Sequence, residues 1–488
     1  MKSKFLKPEI MAALLSAVVL IHILITEPII GIADNGDFER IMGSTGLEYI
    51  TDSYKERYFG YVNREYRMAS PLSTWSGYFS TQAVPVLLAK IISRLFVPGK
   101  AIFDIRSLGF IYSCFFVLSL YLIIKYNRQS NPLLNWILAG LLVFVFTDSG
   151  YISYFNSLYG EAASFSALLL TSALAVYIIK RKNPGLPALI AFFLSAIFLT
   201  GSKAQNAPIG ICLAVLGIRF IHLRKDFLWK RCIIYSCAVL LFTASFSYFS
   251  IPYGIRLCNK YQTVFYGVLR NSPNPERDLE ELGLDTGLSV LAGTDFFANS
   301  YPLDIRDEEF LKEIDEKINP VKILSFYLKH PSRYLDKLRI TSENGFKLVQ
   351  GYGNFEKDEG RRFRETTSSF ILWSNFKENV LPHSLIFTAV FFAIYILFLS
   401  AQYIKIKDSL SGRLYIELYA FLWLTGLIQF IVPVIGDGEA DLSRHLFLFN
   451  VCFDIMLISA AVYIINLVVK YTAKFTADRR FYHGGDKG

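Results

Sequence analysis

Charged residues are scarce in this 488-residue sequence: Asp, Glu, Lys and Arg make up 19% of the chain, whereas soluble domains average about 25%. Hydrophobic residues reach 53%, and the chain contains 42 Phe and 29 Tyr. This composition argues against a soluble enzyme, a disordered chain, a collagen and a coiled coil.

Cysteine is also scarce, and its positions argue against a disulfide framework. Five of the six cysteines lie in or beside apolar stretches, and only Cys258 lies in a long polar segment. Because no spacing typical of a metal site is present, we expect free thiols. Internal repeats and low-complexity segments are lacking, and the inverted repeat of many transporters is not evident.

Long apolar runs dominate the rest of the chain. A membrane-spanning helix needs about 20 apolar residues, and the pattern predicts an all-α polytopic membrane protein with about ten transmembrane helices and extracytoplasmic loops. Lys90 and Arg94 interrupt the short apolar segment 83–97, which favours a helix lying at the membrane surface. The predicted spans are 10–33, 104–125, 132–147, 162–179, 185–201, 206–222, 232–252, 384–404, 413–435 and 446–469.

The net charge of +9 does not indicate nucleic-acid binding, because the basic residues cluster in short loops between apolar spans. Such loops face the cytoplasm in membrane proteins. Alternation of the spans then places both termini in the cytoplasm and the long segments 34–103 and 253–383 outside. The basic loops contain Lys125 and Arg128, Lys180 to Lys182, Arg224 to Arg231, and Lys405 to Arg413.

This topology divides the chain into four parts. Residues 1–252 form an N-terminal transmembrane catalytic module that includes the first outer loop, and residues 253–383 form an extracytoplasmic region. Residues 384–470 form the C-terminal transmembrane helices, and residues 471–488 form a cytoplasmic tail. Within the extracytoplasmic region, apolar residues recur at helical spacing over 321–338.

Acidic residues lie at the predicted outer ends of two spans. Asp34 and Asp37 follow the first span, and on a helix their carboxylates would share a face. Paired carboxylates serve as general bases and as ligands of hard cations, although Asn-Gly between them is also a turn signal. Glu161 stands where the fourth span begins, close to aromatic residues that fit an interfacial belt. A solvated acid is the alternative for Glu161.

Cationic residues lie at two further outer ends. Lys203 is the one cation of a very short outer loop; it would bind a phosphate as a point charge or extend to the membrane surface. Asp441 precedes Arg444 by three residues and His445 by four, so a helix would place all three on one face. Arg and His would then hold an anion. The alternative, an acidic cap for the last span, explains Asp437, Glu439 and Asp441 but explains Arg444 less well.

Four motifs, taken in order, resemble the GT-C superfamily of integral-membrane glycosyltransferases. The motif order is similar to a bacterial branch that includes the WsfD-type hexose transferases of cell-surface glycan synthesis. The motifs are Asp-Asn-Gly-Asp-Phe-x-Arg from Asp34, Tyr-Phe-Asn-Ser-x-Tyr-Gly-Glu from Tyr154, Ser-Lys-x-Gln-Asn from Ser202 and Gly-Asp-Gly-Glu-Ala-Asp-Leu-x-Arg-His from Gly436.

The resemblance implies an enzyme that takes a sugar from a polyprenyl-phosphate carrier, outside the bacterial cytoplasmic membrane, and passes it to a glycan acceptor with inversion. It implies Asp34 or Asp37 as the base, with Asp34 slightly favoured, and Glu161 as a second catalytic acid. No cofactor is certain, but these three acids could bind Mg²⁺ or Mn²⁺. The implied substrate-binding residues are Arg40, Asn156, Lys203, Gln205, Asp441, Arg444 and His445.

Two other functions stay open at this stage. A lipid-linked glycan flippase or transporter would place charges within the spans, where Asp454 is the exception among nearly uncharged central segments. A glycan polymerase would share both the compartment and the substrates. A receptor or anchor without activity is a third class, but it does not explain charged residues at four separate span ends. All readings predict the lipid bilayer as a partner and no nucleic acid.

Overall fold

The computed structural model describes residues 7–96, 98–99, 101–358 and 360–484; for residues 96 and 473–484 it describes the helical backbone alone. Ten long apolar helices occur at the positions of the predicted spans. They are α1 (Pro8–Leu24), α2 (Arg106–Tyr126), α3 (Pro132–Phe146), α4 (Gly160–Lys180), α5 (Leu186–Ser202), α6 (Ala207–Arg219), α7 (Phe227–Phe249), α8 (Leu385–Lys405), α9 (Leu410–Asp437) and α10 (Phe447–Gly484).

The helix lengths confirm the predicted all-α membrane fold. Within the described residues, seven helices are long and apolar enough to cross a membrane, fewer than the predicted number of about ten. An eighth span is possible if α3 and the segment Ser149–Asn156 count as one, although they meet at 56°. Helices α1 and α5 have 17 residues each, the lower limit for a span.

A small antiparallel sheet between α1 and α2 is a feature that the sequence did not predict. Its strands are β1 (Leu47–Tyr49), β2 (Glu65–Met68) and β3 (Ile102–Asp104), in the order β1-β2-β3. Strands of three or four residues are too short for an alternating pattern to be recognised. The helices of this region are Phe38–Thr45, Tyr54–Arg57, Pro71–Thr74 and Ala83–Phe96.

Helix Ala83–Phe96 has the two-faced pattern expected of a helix at a membrane surface. Val86 and Ala89 are buried, whereas Leu88 and Ile91 are exposed. The segment 253–383 is also helical, and the predicted helix over 321–338 is broken in two at Pro331, because proline cannot continue a helix. Its helices are Tyr253–Tyr261, Gln262–Val268 (a π-helix), Pro275–Glu281, Thr286–Leu291 (a 3₁₀-helix), Glu308–Lys317, Pro320–Lys329, Pro331–Asn344 and Leu372–Asn379.

The basic loops gather at one end of the bundle, which we call the basic end. Arg128, between α2 and α3, pairs with Glu9 in α1 at 2.5 Å. Arg219, at the end of α6, pairs with Glu417 near the start of α9 at 2.9 Å. The segments 34–103 and 253–383 emerge from the opposite end, which we call the loop end. This arrangement agrees with the predicted alternation of spans.

Asp454, the one acid predicted within the central part of a span, forms a fully buried ion pair with Lys377 of helix Leu372–Asn379, at 2.8 Å. The carboxylate also accepts hydrogen bonds from Tyr151 at 2.5 Å and from the indole N–H of Trp373 at 2.8 Å. Asp454 therefore anchors a helix of the 253–383 segment to α10. The predicted four-part division of the chain stays a prediction.

Candidate functional site

Arg444 joins three acids at the loop end of the bundle. It lies in the one-turn helix Leu442–His445, between α9 and α10. Its guanidinium pairs with Asp37 at 2.5 Å and with Asp441 at 2.6 Å, and it approaches Glu161 at 3.9 Å. The group also lies 4.9 Å from the centre of the Tyr159 ring. Because the side chain is 7% exposed, these contacts replace most of its hydration.

Lys203 and Glu161 form the second half of the same cluster. Glu161 lies in the first turn of α4, and Lys203 follows the end of α5 directly; the ammonium and the carboxylate Oε1 are 2.7 Å apart. The same Oε1 faces Arg444, so the acid lies between the two cations. The other oxygen, Oε2, is buried and has no hydrogen-bond partner. A small cavity is lined by Glu161, Ser164, Lys203, Gln205, Asn206, Gln429, Arg444, His445, Phe447 and Leu448.

His445 borders this cavity but faces a different partner from Arg444. Its Nε2 lies 3.0 Å from Asp437, and its Nδ1 lies 3.2 Å from the amide oxygen of Gln205. The predicted single helical face for Asp441, Arg444 and His445 is wrong in this respect. Asp441 has a positive φ of 45°, and the turn that follows is only four residues long. The Asp441 carboxylate therefore contacts Arg444, whereas His445 meets Asp441 only through its backbone N–H, which donates to the Asp441 carbonyl at 3.2 Å.

Asp34 and Asp37 do not form the predicted carboxylate pair, because the helix begins only at Phe38. Asp34 is fully buried, and its Oδ1 accepts hydrogen bonds from the backbone N–H groups of Gly36 at 2.8 Å and Phe38 at 3.1 Å. Its Oδ2 accepts a hydrogen bond from the hydroxyl of Tyr49. Asp37 points instead to Arg40, at 2.7 Å, and to Arg444.

The two aspartates consequently differ in acidity. Burial raises the pKa of Asp34 from 3.8 to about 7, although the hydrogen bonds from Tyr49, Phe38 and Gly36 counteract part of this effect. Burial also acts to raise the pKa of Asp37, but Arg40 and Arg444 outweigh it and hold this pKa well below its usual range. Asp37 is therefore ionised at neutral pH, whereas Asp34 titrates near neutrality.

The remaining predicted residues lie at different distances from the cluster. Gln205 donates a hydrogen bond to the backbone oxygen of His445 at 2.9 Å, which links the loop after α5 to the loop before α10. Asn156 is not part of the cluster: its amide donates to the carbonyls of Leu24 and Ile30, each at 3.0 Å. It holds the chain that leaves α1.

Sequence reasoning missed several polar contacts of the site. Asn35 donates to Asp441 at 3.1 Å, and Tyr352 donates to the other oxygen of Asp441 at 3.2 Å. Tyr159 accepts a hydrogen bond from the backbone N–H of Asn35 at 2.9 Å. Asn35 and Tyr159 belong to the first and second motifs, so they could have been predicted as site residues together with their neighbours. Tyr352 lies in the long loop without any motif around it.

The acids of the site do not fit a divalent cation held by Asp34, Asp37 and Glu161 together. Within the described part of the chain, no group of three or more Asp, Glu, His or Cys side chains could hold a metal ion. Asp37 is paired with arginines and Glu161 with Lys203, whereas Asp34 is turned towards Tyr49. We therefore assign no step to Mg²⁺ or Mn²⁺, and a metal requirement stays a prediction from the sequence.

Two glycines allow the loop before α10 to pack against the 253–383 segment. Gly438 has a φ of +62°, a conformation that favours glycine. A Cβ on Gly438 would lie 2.5 Å from the backbone oxygen of Gln262 and 2.9 Å from the backbone nitrogen of Gly267. The close backbone contact fixes the turn from which Asp441, Arg444 and His445 extend.

The fold and the described contacts define a multi-pass membrane protein with a buried cluster of acids and cations at one end of its bundle. Over residues 1–481 the chain matches the family described as the YfdI N-terminal transmembrane domain, and it belongs to that family. It is similar to the uncharacterized protein YfdI of Escherichia coli (strain K12), with 24% identity over 370 residues, which cover 75% of this chain and 77% of the relative.

Among solved structures, the chain is similar to the archaeal oligosaccharyltransferase AglB from Archaeoglobus fulgidus, in complex with an inhibitory peptide and a dolichol-phosphate. The identity is 12% and the TM-score is 0.42, over 97% of this chain and 52% of that chain. The chain thus spans about half the length of that structure. We draw no functional conclusion from a likeness at this TM-score.

Proposed function

We propose that this protein is a membrane glycosyltransferase of the GT-C type. It transfers a hexose from a polyprenyl-phosphate carrier to a cell-surface glycan or a lipid-linked acceptor, and it inverts the anomeric centre of the sugar. The observation that carries the proposal is the cluster of Lys203 and Arg444 around Glu161, next to Asp37, at the loop end of a membrane-spanning bundle. A lipid-linked phosphate lies at the same height as such a cluster, with its tail in the bilayer.

On the donor side, we assign the carrier phosphate to Lys203, Arg444 and His445. A phosphate leaving group needs stabilisation of negative charge more than it needs a proton, and arginine and lysine supply it through hydrogen bonds and a point charge. Both cations contact Glu161, at 2.7 Å and 3.9 Å. Donor binding therefore exchanges part of these contacts for contacts with phosphate oxygens, while Asp441 keeps the Arg444 guanidinium in place.

On the acceptor side, we favour Asp34 over Asp37 as the general base. An acceptor hydroxyl is a poor nucleophile and needs a base whose pKa lies near the working pH. The pKa of Asp34 is raised to about 7, whereas Asp37 is neutralised by two arginines. In this assignment Asp37 positions Arg444, and Arg40 holds Asp37 in place from its other side.

A flippase or transporter is the alternative function, and Asp454 would support it because this acid lies within a span. Its carboxylate is fully buried with Lys377, and Tyr151 and Trp373 complete its hydrogen bonds. A charge satisfied in this way serves packing rather than a translocation path. We propose that the protein is an enzyme of the bacterial cytoplasmic membrane, with both termini in the cytoplasm and the site outside; the Lys and Arg residues of the short loops support this orientation.

The test uses the purified full-length protein in liposomes with a polyprenyl-phosphate hexose labelled in the sugar, together with a lipid-linked glycan acceptor. We expect labelled acceptor and free polyprenyl phosphate to form in equal amounts. Asp34→Asn should lower the rate about 10²–10⁴-fold, the usual effect of losing a general base, whereas Asp336→Asn on an exposed helix should not. Movement of the intact donor across the membrane without transfer would contradict the proposal.

A further inference from the structure

A second cavity lies in the half of the bundle near the basic end, away from the candidate active site. Its volume is about 280 Å³. Helices α2, α3 and α4 form one wall, and α8, α9 and α10 form the other. Apolar side chains line its inner part, among them Leu142, Phe146, Leu169, Leu422 and Ile455. Protein interiors contain few voids larger than a water molecule, so a cavity of this size is exceptional.

The amide side chains that line the cavity lie at the basic end. Asn127, Gln129, Gln402 and Asn466 line this part, and the last three are partly exposed. The cavity therefore reaches the surface where the helices end. Apolar walls inside and polar walls at the opening match the polarity of a membrane lipid entered tail first.

Two observations describe what the cavity offers an occupant: few free polar groups inside and a basic opening. Ser172 lines the cavity, is 5% exposed, and its hydroxyl has no hydrogen-bond partner. At the opening, the ammonium of Lys180 lies 4.4 Å above the ring of Tyr415, which also lines the cavity. Lys180 is followed by Arg181 and Lys182, so the opening carries positive charge where lipid phosphates lie.

We propose that this cavity binds one hydrocarbon chain of a phosphate-bearing membrane lipid, with the phosphate beside Lys180. Water is a poor occupant, because a buried water needs two to four polar partners. On the inner wall the hydroxyls of Tyr395 and Ser459 already bond to each other at 2.7 Å, and Ser172 offers one further hydroxyl. A hydrocarbon chain restores the dispersion contacts that an unfilled cavity loses. The bound hydrocarbon chain lies between two walls of the cavity and contacts both of them. One wall is formed by α2, α3 and α4, and the other by α8, α9 and α10. The proposal does not depend on the proposed transferase activity.

The experiment is native mass spectrometry of the full-length protein released from bilayers that contain phosphatidylglycerol and polyprenyl phosphate. We expect one lipid to remain bound to the wild-type protein, and its mass identifies which of the two phosphate-bearing lipids is held. Ser172→Leu fills the cavity without removing a hydrogen bond and should release that lipid. Ser400→Leu, on an exposed face of α8, is the matched control and should retain it.

A second arm tests the phosphate. Lys180→Gln should weaken retention about fivefold, the effect of losing about 1 kcal/mol of an exposed charge interaction, whereas Lys182→Gln should change it less. If Ser172→Leu has a lower melting temperature than the wild type, Ile455→Phe serves as the cavity-filling variant in its place. Loss of all lipid from the wild-type protein, or equal retention by the cavity-filling variant and its control, would overturn the proposal.

Discussion

Arg444 forms an ion pair with Asp37, with 2.5 Å between its guanidinium and the carboxylate. The pair connects the loop that follows the first long helix to the loop that precedes the last one. Both residues are largely buried, with side chains 7% and 18% exposed. The pair thus joins the first and the last long helix of the bundle at the candidate site, and the geometry of the site depends on this connection.

Replacement of Arg444 should destabilise the protein, because it leaves buried acids without a counter-charge. Removing one partner of a buried ion pair costs about 3–5 kcal/mol, so Arg444→Gln should lower the free energy of unfolding by about that amount. Arg339→Gln removes the partner of exposed Asp336 and should cost about 0–1 kcal/mol. Denaturant unfolding in detergent measures both. Equal effects of the two variants would contradict the assigned role of Arg444.

The pKa of Asp34 leads to a prediction for stability. The pKa is 3.8 in the unfolded chain and about 7 in the fold, so between these values the folded protein binds one proton more than the unfolded chain. Stability therefore falls as the pH rises from about 4 to about 7. Asp34→Asn should remove this part of the pH dependence, and unfolding curves at several pH values test it. A wild-type slope that Asp34→Asn leaves unchanged would exclude Asp34 as its source.

The same pKa separates the two candidate bases. If Asp34 is the base, the transfer rate rises with pH and reaches a plateau above about 7, because the ionised carboxylate accepts the proton. If Asp37 is the base, the rate shows no such rise near neutrality, since Asp37 is already ionised.

Gly438 should be intolerant of a side chain. Gly438→Ala places a Cβ against the backbone of Gln262 and Gly267 and forces a positive φ on alanine. We expect a lower melting temperature and loss of activity, because the turn that carries Arg444 moves. Gly436→Ala is the matched control, since a Cβ there meets nothing within 4 Å. If the two variants behave alike, the close backbone contact is not what fixes the turn.

Cysteine labelling tests the orientation of the bundle. Val290 and Asn183 are exposed and lie towards the loop end and the basic end, respectively. On intact cells, an impermeant thiol reagent should label Val290→Cys and leave Asn183→Cys unmodified, with the parent protein as background. The reverse pattern would place the candidate site in the cytoplasm.

Hydropathy and charge were sufficient to predict the ten helices and the gathering of the basic loops at one end, because both follow from the bilayer as solvent. The motifs also identified Lys203, Glu161, Asp441 and Arg444, which the structure brings together. Partner choice could not be predicted in the same way. Glu161 lies between Lys203 and Arg444, and its position at the start of a span does not reveal these two partners.

Local backbone geometry explains the other differences. Asp34 points away from Asp37 because its carboxylate accepts hydrogen bonds from the start of helix Phe38–Thr45 and from Tyr49. Tyr49 belongs to a strand that the sequence did not predict. The His445 imidazole points away from the Asp441 carboxylate because the backbone at Asp441 is left-handed. Such turns depend on tertiary contacts, and no periodic pattern in the sequence reports them.

The most direct test of the phosphate assignment is a structure of the full-length protein determined with polyprenyl phosphate in a lipid nanodisc. The account predicts phosphate oxygens within about 4 Å of Lys203 Nζ and of the Arg444 guanidinium, the range of an ion pair, with Glu161 displaced from at least one of them and the polyprenyl chain directed into the bilayer. A phosphate bound elsewhere, with the pair of Lys203 and Glu161 intact, would contradict the account.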